Sequence, residues 1–234
     1  MKRSVERILT THTGSLPRPA WLLERLRKRT GAGDEADFSR EVSRAIAESV
    51  EKQLEAGIDV VSDGEQGKPD YSTYIKDRLT GFGGEPVRLG PTRDQLDFPD
   101  YAQALPGLAG GRPSGPACIG PIAWRNFDAV ERDIASLKAA LARNAGAAEG
   151  FVSAVSPRQA ARFMPNRYYG SDEEYLQVLS DALRKEYEAI VAAGFVLQLD
   201  CPDLASSWNN QYRHLRCRSS ARRSRGMWKC STRR

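Results

Sequence analysis

The chain writes one pattern twice, and that pattern leaves few folds open to it. Residues 56–68 read AGIDVVSDGEQGK: a helix closing at Ala56-Gly57, a β-branched run from Ile58 to Val61, then Asp63, Glu65 and Lys68. Residues 192–203 read AAGFVLQLDCPD, again Ala-Gly, an apolar run and an acid, Asp200, at its end. Glycine suits the left-handed residue that closes a helix, and a short apolar run suits a buried strand. Helix, glycine, strand and acid in repeated order is the text of a parallel β/α fold. Chemistry in such folds gathers at strand ends, which makes Glu65 and Asp200 the first candidate site residues.

Other elements follow at a matching pace. Apolar residues at Phe38, Val42, Ile46, Val50 and Leu54 predict an amphipathic helix feeding Gly57. A second helix is predicted over 128–141, with Val130, Ile134, Leu137 and Leu141 on one face and Asp128 with Glu131 as a capping box. A third opens at Ser171, capped by Ser171 with Glu174, and presents Leu176, Leu179, Leu183, Tyr187 and Ile190. Strands are expected near 8–15, 58–61, 116–122, 151–155 and 195–200, with a short helix within 71–82. Residues 83–116, rich in Gly and Pro, read as an unstructured insertion whose Arg88 and Arg93 could meet a ligand. Gly14 and Ser15, at the end of the first expected strand, offer backbone N–H groups and a hydroxyl to a carboxylate or phosphate. Trp124, just past the third, could stack on a flat ligand or simply pack.

Eight β/α units at this pace would need well over roughly 300 residues; the chain has 234. The expected fold is therefore α/β, of the TIM (β/α)8 barrel family, with about the first five units present.

Charge is unevenly placed. Net charge is +5, yet residues 213–234 hold eight Arg, one Lys and no acid. Setting those nine aside leaves 26 basic against 30 acidic residues, a net of −4 over residues 1–212. The body thus has no basic footprint for nucleic acid. The expected division is 1–212 as a partial barrel and 213–234 as an aberrant Arg-rich tail, read as the product of a shifted reading frame that truncates the barrel, with a genuine basic arm as the competing reading. No run approaches the roughly 20 apolar residues of a membrane span, and the N-terminus is too polar for a signal peptide. Four irregularly spaced cysteines (118, 201, 217, 230) suggest reduced thiols and a cytoplasmic protein.

Five stretches together resemble one family. TTHTGSLPRP (10–19), GIDVVSDGEQGK (57–68), IGPIAW (119–124), NRYYGSDEEYL (166–176) and EYEAIVAAGFVLQLDCPDLA (186–205) are similar to the C-terminal barrel of cobalamin-independent methionine synthase. They come nearest its short single-barrel relatives, which include the epoxyalkane–coenzyme M transferases. The resemblance implies a TIM barrel that binds zinc and moves a methyl group from 5-methyltetrahydrofolate, usually polyglutamylated, to the homocysteine thiol. Zinc would deprotonate a thiol that is otherwise a weak nucleophile near neutral pH. Gly14 and Ser15 match the loop that holds the amino acid's carboxylate. Glu65 matches the acid that meets its ammonium, Asp200 the second acid near it, and Trp124 lies near the pterin-binding aromatic.

The metal ligands do not carry over. The family's His-x-Cys motif and later ligands lie on strands beyond the end of this chain, which contains only His12 and His214. The spacing of His214, Cys217 and Cys230 is tolerable for zinc, and Cys201 beside Asp200 could ligate. The truncated chain is accordingly expected to be inactive. Two alternatives remain: another thiol alkyl transfer of the epoxyalkane–coenzyme M type, or a non-catalytic amino-acid-binding module.

Overall fold

The computed structural model describes residues 2–27, 35–85, 90–104 and 115–210. In chain order the elements are α1 (Ala20–Arg27), α2 (Glu35–Glu55), β1 (Val60–Ser62), α3 (Ile75–Arg78), β2 (Phe82–Gly83), α4 (Arg93–Asp97) and α5 (Pro99–Ala104). There follow β3 (Ala117–Cys118), α6 (Asp128–Arg143), β4 (Glu149–Val155), α7 (Pro157–Phe163), α8 (Asp172–Ala192), β5 (Val196–Asp200) and α9 (Asp203–Asn210). They fall into two compact units. The first draws on Met1–Tyr74, Asn126–Ala154 and Lys185–Leu199, the second on Ile75–Arg125, Val155–Arg184 and Asp200–Arg234.

The first unit is built on a three-stranded sheet of order β1-β4-β5. β1 and β4 are parallel, Val60 lying opposite Glu149 and Ser62 opposite Phe151. From Gly150 to Val155, β4 is buried at every position, as a parallel strand covered on both faces must be. The predicted stripe of α2 is the core: Phe38, Val42, Ile46 and Val50 are buried with Val61, Leu137, Ala140 and Val152. The two Ala-Gly signals close helices as expected. Gly57 (φ 78°) ends α2 and Gly194 (φ 90°) ends α8, their amides donating to Leu54 O and Val191 O at 2.9 Å.

The expected first strand is not one. Residues 8–15 run without strand structure and bond to β1 through the backbone only at its start, where Thr10 O accepts Asp59 N and Val60 N at 3.2 and 3.0 Å. Gly14, at φ 81°, turns the backbone at the end of the segment. An ion pair from Arg7 to Asp59 and a 2.8 Å bond from Thr10 N to Asp59 Oδ2 fasten this segment instead.

In the second unit, the strand expected at 116–122 exists as β3 but pairs antiparallel with β2, Phe82 opposite Cys118 and Gly83 opposite Ala117. It does not join the parallel sheet. The ribbon ends where Gly81 (φ 86°) approaches so closely that a Cβ there would lie 2.6 Å from Gly120 O. The stretch 83–116 is not structureless either, since it holds α4 and α5. A signal for α4 stood in the text: Gln95 Oε1 accepts Thr92 N at 2.8 Å, the backward half of a capping box.

Capping at the two long helices was half legible. Ser171 Oγ accepts Glu174 N at 3.1 Å, as expected, while Glu174 reaches Gly170 N at 3.0 Å, one residue early. Asp128, by contrast, caps nothing. The residue at the cap of α6 is Phe127, and Asp128 lies in the first turn, where its charge complements the helix dipole.

The architecture is mixed α/β with a parallel sheet, and the described residues do not close a barrel. No described helix is long and apolar enough to cross a membrane. Arg88, His214, Cys217, Cys230 and the tail lie outside the described residues.

Candidate functional site at the end of the first strand

Where β1 ends, residues 62–68 form a loop tied down by its own short side chains. Ser62 Oγ accepts Gly64 N at 3.0 Å, and Asp63 Oδ1 accepts Glu65 N at 3.0 Å, the self-bonding turn chemistry of Ser and Asp. Two glycines let it settle. A Cβ on Gly64 would lie 2.6 Å from Ser49 Oγ of α2, and one on Gly67 would lie 2.8 Å from Asp133 Oδ1 of α6.

Residues 15–18 dock on this loop. Leu16 N donates to Gly64 O at 3.1 Å. Arg18 Nη2 donates to Glu65 O at 2.8 Å and to Lys68 O at 2.6 Å. Burial pulls the Arg18 guanidinium below its ordinary range, against the opposing pull of Glu65, Asp63 and Asp70.

Glu65 is the focus. Its backbone sits at φ 56°, the single non-glycine residue with positive φ among those described. Such a conformation costs of order 1–3 kcal/mol and persists where the surroundings impose it. Its side chain is 2% exposed. Oε2 accepts Ser15 Oγ at 2.5 Å and Oε1 accepts Ser153 Oγ of β4 at 2.9 Å. Two bonds fill about half the lone-pair capacity of a carboxylate.

Lys68, also 2% exposed, points its ammonium at Ser153 O in a short hydrogen bond and lies 4.8 Å over the Tyr74 ring. Asp63 is buried beside it. Burial drives the Asp63 carboxyl up, Lys68 opposes that shift, and Asp133 adds to it. Asp63 Oδ2 and Gln66 Oε1 are buried with no hydrogen-bond partner.

The structure thus brings Ser15 and Glu65 into contact and places Gly14 beside Ser15, in a left-handed turn with open space where a Cβ would be. Asp200 and Trp124 belong to the second unit. Asp200 closes β5 half-buried, its backbone oxygen accepting Ser156 N at 3.2 Å. Trp124 is half-buried, and its Nε1 donates to Ala182 O of α8 at 2.8 Å, so the indole's polar end is already engaged.

Sequence reasoning missed three supporting residues. Ser153 is the polar interruption of an apolar strand, and Arg18 sits between two prolines. Gln53 interrupts the inner face of α2, where it accepts Ser62 N at 2.9 Å and donates to Ser62 O at 2.9 Å. Each is a polar residue where the pattern calls for an apolar or neutral one, which is the signal that could have found them. His12 joins the same bracket, Nε2 lying 3.0 Å from Gln53 Oε1.

Zinc finds no home here. Among the described residues no group of three or more His, Cys, Asp or Glu could hold a metal ion. Cys118 is buried and Cys201 half-buried, and burial pushes both thiols up, away from the thiolate a metal needs.

A mixed α/β unit with an acid-bearing loop at the end of a parallel strand belongs to the class of folds that build small-molecule sites at strand ends. Comparison with known proteins is more specific. Residues 8–86 match the family model described as the cobalamin-independent synthase, catalytic domain. Methionine synthase of Sulfolobus acidocaldarius is 39% identical over 74 residues, 31% of this chain and 22% of that protein. That of Saccharolobus solfataricus is 25% identical over 197 residues, 83% of this chain and 53% of that protein. Among solved structures, the B12-independent methionine synthase of Shewanella sp. W3-18-1, in complex with selenomethionine, superposes with a TM-score of 0.63. It is 23% identical, and the match covers 86% of this chain and 55% of that one. A putative vitamin-B12-independent methionine synthase from Listeria monocytogenes gives 0.55 at 20% identity. Over residues 8–86 the chain is thus similar to the catalytic domain of the cobalamin-independent methionine synthases. It spans about half the length of the Saccharolobus solfataricus and Shewanella proteins.

Proposed function

We propose that the chain supplies the amino-acid-binding part of a methionine-synthase-like methyltransferase, with homocysteine and methionine as the ligand class. The observation that carries this reading is the Glu65 carboxylate, fixed at a strand end by two hydroxyls with half its accepting capacity unspent. An α-ammonium is the natural donor for it. Ser15 is exposed and marks the side from which a ligand reaches the acid. Gly14 and Ser15 then face the ligand's carboxylate, their amides making no hydrogen bond to a described residue. Opposite charges at opposite ends of an amino acid make a clamp that orients its sulfur.

The finer assignments rest on the resemblance: 5-methyltetrahydrofolate as donor, Asp200 as a second acid, Trp124 near the pterin, and a barrel of which about five units are present. The family's zinc would supply the thiolate, but the described donors do not fit it. Binding is therefore the property to measure.

Calorimetry on the 234-residue chain tests the reading. L-Methionine should bind, and Glu65→Gln should weaken it roughly 10- to 150-fold, the equivalent of one charge-assisted hydrogen bond. The des-amino analogue 4-(methylthio)butanoate should bind weakly to both proteins and hardly notice the substitution. Equal loss for the two ligands would make Glu65 a structural acid and overturn the clamp.

A further inference from the structure

The first unit buries five carboxylates among its described residues, Asp59, Asp63, Glu65, Asp133 and Glu186, and its most buried described cation is Lys68. Three of the acids have partners of their own. Asp59 has Arg7, Asp133 has Arg132 at 3.0 Å, and Glu186 accepts the Tyr74 hydroxyl at 3.1 Å. Asp63 and Glu65, two positions apart on the same loop, have only hydroxyl and amide donors. Two neighbouring buried acids on such donors call for a cation close by.

Lys68 stands where a counter-charge is needed. Its ammonium bonds to the backbone oxygen of Ser153, and the hydroxyl of that same residue holds Glu65 Oε1. A Tyr74 ring face covers it from behind, with Glu186 beyond. Lys68 makes no direct ion pair with a described acid and so is not spent on any one of them. A lysine kept only to brace a carbonyl would be a costly choice in such a place, because a buried ammonium gives up its hydration.

We infer that Lys68 is the positioning residue of this site: it anchors Ser153, through which it aims the Glu65 carboxylate, and it places a positive charge beside the loop that carries Asp63 and Glu65. Charged groups facing the loop from the packed elements are Arg18 on the docking segment, Asp133 and Arg132 on α6, Asp70 beyond the loop, and Glu186 on α8 behind Tyr74. Of these, Arg18 and Arg132 are the other cations: Arg18 Nη2 is committed to backbone oxygens and Arg132 to Asp133 and Glu35. Burial holds the Asp63 carboxyl up and Lys68 draws it down, which gives the inference a readout that needs no ligand. Only the ligand-binding arm rests on the reading of Glu65 as an ammonium acceptor.

The test uses the full chain with Lys68→Met, Lys68→Gln, Lys68→Arg and Ser153→Ala. Carboxyl 13C NMR should show Asp63 titrating about one or more pH units higher in the neutral variants and near its starting point in Lys68→Arg. L-Methionine should bind about tenfold more weakly to Lys68→Met, Lys68→Gln and Ser153→Ala, and within about threefold of the starting affinity to Lys68→Arg. An unmoved Asp63 titration in a folded neutral variant would overturn the inference. Failure of both neutral variants to fold would also overturn it, in favour of a purely structural lysine. Should the unaltered chain bind 4-(methylthio)butanoate as tightly as L-methionine, the ammonium reading of Glu65 falls, and the Asp63 titration still decides the role of Lys68.

Discussion

At the scale of single residues, the backbone of Glu65 is as informative as its side chain. A left-handed φ is adopted freely by glycine and at a cost of about 1–2 kcal/mol by other residues. Glu65→Gly and Glu65→Ala lose the same carboxylate and the same two hydroxyl contacts. They differ in the φ 56° that alanine must still adopt. The glycine variant should therefore be the more stable of the two by about 1 kcal/mol, read from urea midpoints at equal m-value. Equal midpoints would mean that the loop relaxes out of the left-handed region once the acid is gone. Asp59 makes a second prediction at this scale. Its bonds from Arg7 and from the Thr10 amide hold its carboxyl well below the usual carboxylate range. A depressed acid stabilises the fold above its unfolded value of about 3.9, and that contribution is lost as the pH falls further. Thermal melts of the unaltered chain should fall in Tm between about pH 5 and pH 2 more steeply than those of Asp59→Asn, which has no proton to take up at that position.

At the scale of elements, legibility tracked how local each cause was. The α2 stripe and the Ala-Gly closures of α2 and α8 were readable because four-residue spacing and helix-ending glycine are short-range signals. β1, β4 and β5 were placed close to where they lie for the same reason. What the text did not reveal was pairing. Residues 8–15 and β3 both look like strands, yet the first forms no ladder with β1 and the second joins a ribbon with β2, because partners far along the chain decide such matters. The site was legible as an acid at a strand end and illegible as a bracket, since Ser15, Arg18, Gln53 and Ser153 come from three other segments. Packing between α2 and α6 allows a direct test. Leu137 is fully buried in that core, and Leu137→Ala should cost about 2–5 kcal/mol by denaturant titration, with L-methionine affinity altered far less than by Glu65→Gln.

At the scale of the whole molecule, charge and site are separable. The nine basic residues of 213–234 turn a body of net −4 into a chain of net +5. No residue of the Glu65 bracket lies there. Deleting 213–234 should reverse electrophoretic mobility near pH 7 and leave L-methionine affinity within about twofold, whereas a larger loss would place part of the binding machinery in that stretch. The contact between Gly64 and Ser49 has a consequence of another kind. A Cβ on Gly64 would lie 2.6 Å from the Ser49 hydroxyl, so a change on the loop must be met by a shift of that side chain on the helix. A saturation library of Ser49 should be depleted of every bulky residue under selection for ligand binding, even though Ser49 touches no ligand in the proposed clamp. Among descendants of such a chain, a helix position would be inherited together with the loop, and a tally of covariation would place a residue of the scaffold in the pocket's own lineage.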